Sequence, residues 1–144
     1  MLVVHHVFRP DDSRQALEVG ALLPTHATGM GKVLLAANRY AAAELAAGGL
    51  ARYTPATITD PDALTAELDE VLERGWAADA EELEPGVVSI AAPIQDRRGV
   101  TVGAIGISGP VERLSEVGAP RSDLVSFVRE AARSVSRDLG AIPW

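Results

Sequence analysis

Cysteine is absent from the chain, and basic residues are scarce. The lack of cysteine excludes disulfide bonds, thiolate nucleophiles and cysteine metal sites. There are 13 Lys and Arg residues against 20 Asp and Glu, which gives a formal net charge of -7. No basic run is longer than the pair Arg97 and Arg98. Because nucleic-acid binders draw most of their affinity from Lys and Arg that face phosphates, this chain is not expected to bind DNA directly.

Long apolar runs are also missing. No stretch reaches the roughly 18 apolar residues that a membrane span needs, so no membrane partner is expected. Residues 1–7 are too few and too rich in histidine for a signal peptide. Together with the absence of cysteine, this favours a cytoplasmic protein. The chain does have 144 residues, 47% of them hydrophobic, which is enough for one domain with its own core.

A loop that opens a helix runs from Leu23 to Lys32. Thr25 or Thr28 suits the N-cap, and the apolar residues that follow continue the helix. Glycine is a poor helix former. Its presence at Gly29 and Gly31, in the first turn, therefore indicates close approach of another backbone or of a ligand.

The other elements follow from capping residues, apolar stripes and β-branched runs. The predicted strands are 2–8, 15–19, 76–81, 86–95 and 100–109, and the further helices are 40–47, 60–75 and 122–139. Asp60 is the expected N-cap, Pro61 the first helical position and Gly75 the stop of the clearest helix. Its apolar stripe is predicted to be Leu64, Leu68, Val71 and Leu72.

The order of these elements predicts the fold class. Strands linked as hairpins, in the order β-β-α-α-α-β-β-β-α, predict an α+β fold with a mainly antiparallel central sheet flanked by helices. The strands 86–95 and 100–109 are nearly continuous apolar runs, which predicts burial on both of their faces.

Four segments carry a family resemblance: 23–32, 57–60, 75–82 and the strand pair 86–94 with 107–110. They read LPTHATGMGK, TITD, GWAADAEE, GVVSIAAPI and ISGP. In this order and at these spacings they resemble the effector-binding domain of bacterial transcriptional regulators of the isocitrate-lyase-regulator (IclR) type. The resemblance implies a GAF-like domain over residues 1–144, truncated at its N-terminus and lacking the winged helix-turn-helix that binds DNA.

The resemblance also implies a function. Members of the family sense small organic acids or aromatic metabolites, act as homodimers or homotetramers, and switch transcription through their DNA-binding domain. For this chain it implies a small organic acid as effector and contact with DNA only through the missing N-terminal domain. It implies no enzymatic activity, and neither metal nor cofactor is expected.

Three elements are expected to converge on the effector. Amides at Thr28, Gly29 and Met30 could bind an acid group at the helix start, helped by the helix dipole. The resemblance places Asp79 in the pocket, where it could accept a hydroxyl or share a proton with the ligand's acid group. Glu81 and Glu82 follow it, and some of these acidic side chains must point to solvent if the segment is a strand.

The two central strands form the third element. Ser89, Ile90 and Ser108 match positions that face the pocket in relatives, and a serine inside an apolar strand needs a partner that a ligand can supply. Several relatives carry a second hydroxyl where this chain has Gly106, so one polar contact is lost and a larger or aromatic acid gains room. The predicted effector-binding residues are Leu23, Thr28, Gly29, Met30, Asp79, Ser89, Ile90, Gly106 and Ser108. Of these, Leu23 and Met30 would supply apolar wall.

Other interpretations of the same residues stay open. Each of the three elements also has an explanation without a ligand. The helix start could be a tight packing turn, Asp79 a surface carboxylate, and the strand serines could bond nearby backbone. His26, Asp79 and Ser108 have the residue types of a catalytic triad, so a small serine hydrolase is one alternative, although the G-x-S-x-G pattern is absent. His26 is expected instead to anchor its loop by hydrogen bonds. A ligand-free dimerisation module is the other alternative. Lys32 is similar to a phosphate-loop lysine, but the P-loop spacing is absent.

Overall fold

The computed structural model describes residues 1–5 and 19–142. The predicted strand 2–8 extends beyond the described residues, and most of the predicted strand 15–19 lies outside them. Within the described part, Leu2 pairs antiparallel with Leu22, and the Val3 amide donates to the Ala21 carbonyl at 3.0 Å. The start of the chain is therefore held against the segment that leads into the first helix.

The central sheet consists of β1 (Ala77–Ala80), β2 (Val87–Gln95) and β3 (Thr101–Pro110), in that order and entirely antiparallel. The β2–β3 hairpin turns at Asp96, whose Oδ1 accepts hydrogen bonds from the amides of Arg98 and Val100 at 2.8 and 3.1 Å. These strands match the predicted ones within two residues at each end. The predicted α+β class with an antiparallel sheet is confirmed.

Three helices precede the sheet: α1 (Gly29–Ala37), α2 (Arg39–Ala47) and α3 (Pro61–Arg74). After the sheet come α4 (Val111–Leu114), a small hairpin of β4 (Ser115–Glu116) and β5 (Ala119–Pro120), and α5 (Ser122–Asp138). The sequence did not predict α4, β4 or β5, because elements of two to four residues are too short to produce a periodic pattern. No helix in the described part of the chain is long and apolar enough to cross a membrane.

The caps of α1 and α3 follow local chemistry. The Thr28 hydroxyl accepts a hydrogen bond from the Gly31 amide at 3.2 Å, and the Asp60 carboxylate accepts one from the Ala63 amide at 2.9 Å. Such bonds satisfy amides that have no partner within the helix. Gly75 ends α3 with a φ of 77°, in the left-handed region that favours glycine.

The core has two parts, one on each face of the sheet. On the first face, α1 packs between the sheet and α3, and the buried cluster comprises Val33, Leu35, Ala36, Ala42, Leu50, Leu64, Leu68, Val71, Ala77 and Ala91. On the second face α5 covers β2, and the buried cluster comprises Ile90, Ala92, Val125, Val128 and Ala132. The sheet is therefore the middle layer between α1 and α5.

Two predictions about burial are wrong. Leu72 was assigned to the buried stripe of α3, but its side chain is 58% exposed because α1 contacts only the narrower row of Leu64, Leu68 and Val71. β3 was expected to be buried on both faces, yet Val102 and Ile107 are 55% and 38% exposed. β3 lies at one side of the three-stranded sheet, whereas β2 lies in the middle and is covered by helices on both faces.

Candidate functional site

A row of polar side chains crosses the sheet beneath the start of α1. Asp79 on β1 is the register partner of Ser89 on β2, and Ser89 is the register partner of Ser108 on β3. The Ser89 hydroxyl donates to Asp79 Oδ2 at 2.8 Å and accepts from the Gly29 amide at 3.0 Å. Three segments that are distant in sequence thus meet in one buried chain of hydrogen bonds.

The Gly29 amide, one of the three amides predicted to bind an acid group, already donates to the Ser89 hydroxyl in this structure. A Cβ on Gly29 would lie 3.0 Å from Ser89 Oγ and 3.4 Å from the Ala77 carbonyl, so close approach of β2 explains this glycine. Thr28 is similarly engaged, because its hydroxyl caps α1 and also donates to the Pro24 carbonyl at 2.7 Å. Ser89 occupies the position predicted for a ligand acid group.

Asp79 is only 3% exposed, so it is not a surface carboxylate. Its Oδ1 accepts the Glu82 amide at 2.9 Å and its Oδ2 accepts the Ser89 hydroxyl. Burial raises the pKa of the Asp79 carboxyl, against the opposing effects of these hydrogen bonds and of the Lys32 charge. Because its pKa is raised, the Asp79 carboxyl stays protonated and neutral up to a higher pH than an ordinary aspartate.

Lys32 and Glu82 form a buried ion pair beside Asp79 that the sequence did not predict. The Lys32 ammonium lies 2.9 Å from the Glu82 carboxylate, 2.9 Å from the Ala78 carbonyl and 3.4 Å from Glu67. Lys32 is 1% exposed and Glu82 7%. Burial raises the pKa of Glu82 as well, while the charge and hydrogen bond of Lys32 oppose that rise.

The helical spacing of α1 could have revealed the buried lysine. Lys32 is three residues after Gly29 and four before Ala36, so it lies on the stripe of α1 that faces the sheet. Glu82 was harder to find, because strand alternation ends with β1 at Ala80. At Glu81 the backbone turns with a φ of 59°, which brings the Glu82 side chain back inside.

Two of the predicted strand positions, Ile90 and Gly106, lie on opposite faces of the sheet. Ile90 packs on the opposite face of the sheet, against Val125 and Val128 of α5, because neighbouring residues of a strand point to opposite faces. It therefore does not share a hollow with Ser89. Gly106 is on the Ser89 face, but a Cβ there would lie 2.6 Å from the Ile90 carbonyl oxygen. Close contact with β2 therefore explains the glycine at position 106, whether or not it also leaves room for a larger ligand.

The remaining predicted residues border the site less tightly. Ser108 is half-buried at the β3 end of the polar row. Met30 is half-buried against the cluster beneath α1. Leu23 is half-buried, and its amide donates to the Met1 carbonyl at 2.9 Å.

The triad of His26, Asp79 and Ser108 is not assembled in the described part of the chain. His26 Nε2 bonds the Ala51 carbonyl at 2.8 Å, and its buried Nδ1 has no hydrogen-bond partner there. The ring also lies 5.8 Å from that of Tyr53. His26 therefore anchors its loop by a hydrogen bond, as expected. Within the described residues, no group of three or more acidic or histidine side chains could hold a metal ion.

An antiparallel sheet between α1 and α5 is a GAF-like arrangement. Residues 1–137 match the model of the family described as bacterial transcriptional regulator IclR C-terminal. The chain belongs to this family.

Named relatives agree with this assignment. The chain is 54% identical to the glycerol operon regulatory protein of Streptomyces griseus over 141 residues, which cover 98% of this chain and 56% of that protein. The chain thus spans about half the length of the curated relatives that it matches. These relatives are transcriptional regulators.

Solved structures also resemble this chain. The C-terminal domain of the Escherichia coli regulator KdgR has a TM-score of 0.74 at 38% identity, covering 85% of this chain and 74% of that one. The inducer-binding domain of PobR from Acinetobacter, a double mutant in complex with 3-hydroxybenzoic acid, has a TM-score of 0.77 at 28% identity. That match covers 90% of this chain and 77% of the PobR chain.

Proposed function

We propose that this chain is the effector-binding domain of an IclR-type transcriptional regulator. In the whole protein, an N-terminal winged helix-turn-helix domain outside this chain would bind the operator, and the protein would act in the cytoplasm as a homodimer or homotetramer. The effector would favour one of two arrangements of the domain through its different affinity for them. A coupling of about 1–3 kcal/mol between effector and operator is typical of such switches.

The observation that carries this proposal is the hydrogen-bond chain from Gly29 through Ser89 to Asp79. It joins a helix N-terminus, the middle strand and a buried carboxyl at one point. A ligand that replaced Ser89 as partner of the Gly29 amide would pull α1 and β2 apart or rotate the Ser89 side chain. Effector binding would thus be linked to the packing of α1 on the sheet.

A small organic acid is the first candidate effector. Its carboxylate would accept the Gly29 amide at the positive end of the α1 dipole. Asp79 lies next to that position, and two carboxylates side by side repel each other unless one of them is protonated. The raised pKa of Asp79 supports a shared proton between the two. The PobR domain, which has a similar fold, binds an aromatic hydroxy acid.

A neutral polyol is the second candidate, and a specific observation favours it. Two buried carboxylates, Asp79 and Glu82, lie beside the single buried ammonium of Lys32, so the site already carries an excess of acidic groups. Hydroxyl groups could donate to Asp79 and accept from the Gly29 amide without added charge. The relative from Streptomyces griseus is named as the regulator of a glycerol operon.

Operator affinity of the full-length protein, titrated with a panel of acids and with glycerol, tests the proposal. An acid effector that shares a proton with Asp79 should bind more weakly as the pH rises, because the shared proton is then lost, whereas glycerol should depend less on pH. Operator affinity that no compound of the panel changes would count against the sensor function.

Two variants test the place of binding. Ser89→Ala and Asp79→Ala should each weaken the effector response at least about tenfold, which corresponds to 1.4 kcal/mol. Ser134→Ala, an exposed serine on α5, is the matched control and should leave the response unchanged. A full response in both site variants would exclude this position for the effector.

A further inference from the structure

A cavity lies toward the C-terminal end of α1, away from the Gly29 site. Its volume is about 410 Å³, and it opens between α1, the end of α3, α5 and the end of the β2–β3 hairpin. Apolar side chains that belong to the core line its interior: Val33, Ala36, Val71, Ala92 and Ala132. The cavity shares no lining residue with the polar row of Asp79 and Ser89.

The charges around this cavity are basic, although the chain as a whole is acidic. Arg74, Arg129 and Arg133 line it together with one acidic residue, Glu73. Arg74 is engaged, since it donates to the Trp76 carbonyl at 2.8 Å and to Glu67 at 3.1 Å. The other two arginines are four residues apart on α5 and therefore lie on the same side of that helix.

Arg129 and Arg133 lack the partners that guanidinium groups usually have. Across the described residues, Arg129 makes no hydrogen bond and no ion pair. Arg133 Nε is buried without a hydrogen-bond partner, and Nη1 is 3.8 Å from Glu130, beyond hydrogen-bond distance. A buried N–H group without an acceptor is costly, so an acceptor from outside the chain would stabilise Arg133 Nε, and the half-buried Arg129 lies one helical turn away from it.

We infer that this cavity binds a small amphipathic anion: a carboxylate with an apolar body about the size of benzoate. The carboxylate would lie between Arg129 and Arg133, and the body would contact the apolar interior. The side chains of Gln95 and Thr101 border the same space and could donate further hydrogen bonds. Small-molecule sites typically have volumes of about 300–1,000 Å³ and combine apolar walls with a few polar groups, which this cavity does.

The alternative is that the two arginines only stabilise the C-terminal end of α3. Arg129 lies near Gly75, where the carbonyl groups at the end of α3 carry partial negative charge. That role would need no ligand, and it would be indifferent to the apolar body of an added anion. Benzoate and benzamide separate the two roles, because they share the ring and differ in charge.

NMR of the arginine Nε–Hε groups in this chain provides the measurement. Benzoate should shift the Arg133 and Arg129 signals and reach saturation, whereas benzamide should shift neither. Arg129→Gln combined with Arg133→Gln should weaken benzoate binding at this cavity at least about tenfold. Arg39→Gln, at an exposed arginine on α2, is the control for the loss of a surface charge and should leave the binding unchanged.

The outcomes do not depend on the proposed effector site. Ser89→Ala should preserve the benzoate shifts at both arginines, even if benzoate also binds near Gly29. Shifts limited to residues around Gly29 and Ser89, equal shifts with benzamide, or no shift at either arginine would overturn the inference. Inorganic phosphate that shifts the arginines as strongly as benzoate would show a site for charge alone and would overturn the amphipathic assignment.

Discussion

At the scale of single residues, the charges beneath α1 are the least expected feature of the chain. Lys32, Asp79 and Glu82 are each less than a tenth exposed. Bringing an ion out of water costs several kcal/mol, which must be offset by close partners. Lys32 has three oxygen partners. Two of them are the carboxylates of Glu67 and Glu82, which share its single positive charge. Burial raises the pKa of both Asp79 and Glu82, and the neighbouring Asp79 charge adds a small further rise at Glu82.

Lys32→Met should therefore destabilise the domain strongly. Methionine keeps much of the side-chain volume but leaves Glu82 buried without its cation. We expect a loss of about 3–5 kcal/mol in the free energy of unfolding, measured by urea denaturation at pH 7. Arg39→Met removes an exposed partner of Asp69 and should cost less than about 1 kcal/mol. Equal losses in both variants would contradict the role of Lys32.

Asp79 should make stability depend on pH in an unusual direction. Its pKa is raised in the folded state, so the folded protein binds more protons than the unfolded chain once the pH exceeds the ordinary carboxyl value of about 4. The free energy of unfolding should therefore fall as the pH rises from about 4 through the raised pKa of Asp79. In Asp79→Asn this fall should be smaller, although Glu82 still contributes in the same direction.

Urea denaturation at pH 5, 6 and 7 measures this slope. The exposed residues Asp96 and Asp123 have lowered pKa values, so their contribution is lost only when the pH falls below the ordinary carboxyl range. They should therefore leave the window from pH 5 to 7 unaffected. Glu44→Gln, an exposed residue of α2, is the control. If the free energy of unfolding had the same pH dependence in wild type and Asp79→Asn, the raised pKa of Asp79 would be refuted.

At the scale of elements, the start of α1 is fixed by close approach of backbone on two sides. β2 approaches at Gly29, and the loop before the helix approaches at Gly31, where a Cβ would collide with Thr25 and Thr28. The sequence indicated close approach at both glycines but left open whether a backbone or a ligand was responsible. In this structure the protein's own chain makes both contacts.

Gly31→Ala should destabilise the domain despite the higher helix propensity of alanine. Alanine gains about 1 kcal/mol of intrinsic propensity, but the loop must shift to admit its Cβ. We expect a net loss of about 1–3 kcal/mol in thermal or urea unfolding. Gly103→Ala has open space around its Cβ and should change stability by less than about 0.5 kcal/mol. A more stable Gly31→Ala protein would argue against the packing described for α1.

At the scale of the whole molecule, the acidic net charge argues against DNA binding by this chain. With a net charge of -7, the 144-residue chain offers phosphates little attraction. It should show no saturable binding to duplex DNA in fluorescence anisotropy, even at about 50 mM salt, where electrostatic binding is strong. The full-length protein is the positive control. Saturable binding by this chain alone would show that it contacts DNA itself.

Interactions between near neighbours in the sequence were sufficient to predict the main helices and strands and their order. Thr28, Asp60, Pro61 and Gly75 specify helix boundaries through bonds to their near neighbours, and apolar periodicity distinguishes helix from strand. The hairpin of β2 and β3 likewise depends on a turn between adjacent segments. These features, and with them the α+β class, could be predicted because each depends on interactions within a few residues.

The amino-acid sequence by itself therefore determined the class of the domain and named most residues of the candidate site. Only the tertiary structure decided what those residues do for one another. Gly29 and Ser89 are 60 residues apart, and Lys32 and Glu82 are 50 apart. The packing of α1 on the sheet decides whether the Gly29 amide bonds a hydroxyl or a ligand. It also decides which buried charges are paired. Such long-range packing leaves no local pattern, and so Ile90 was assigned to the wrong face and the lysine beneath α1 was missed.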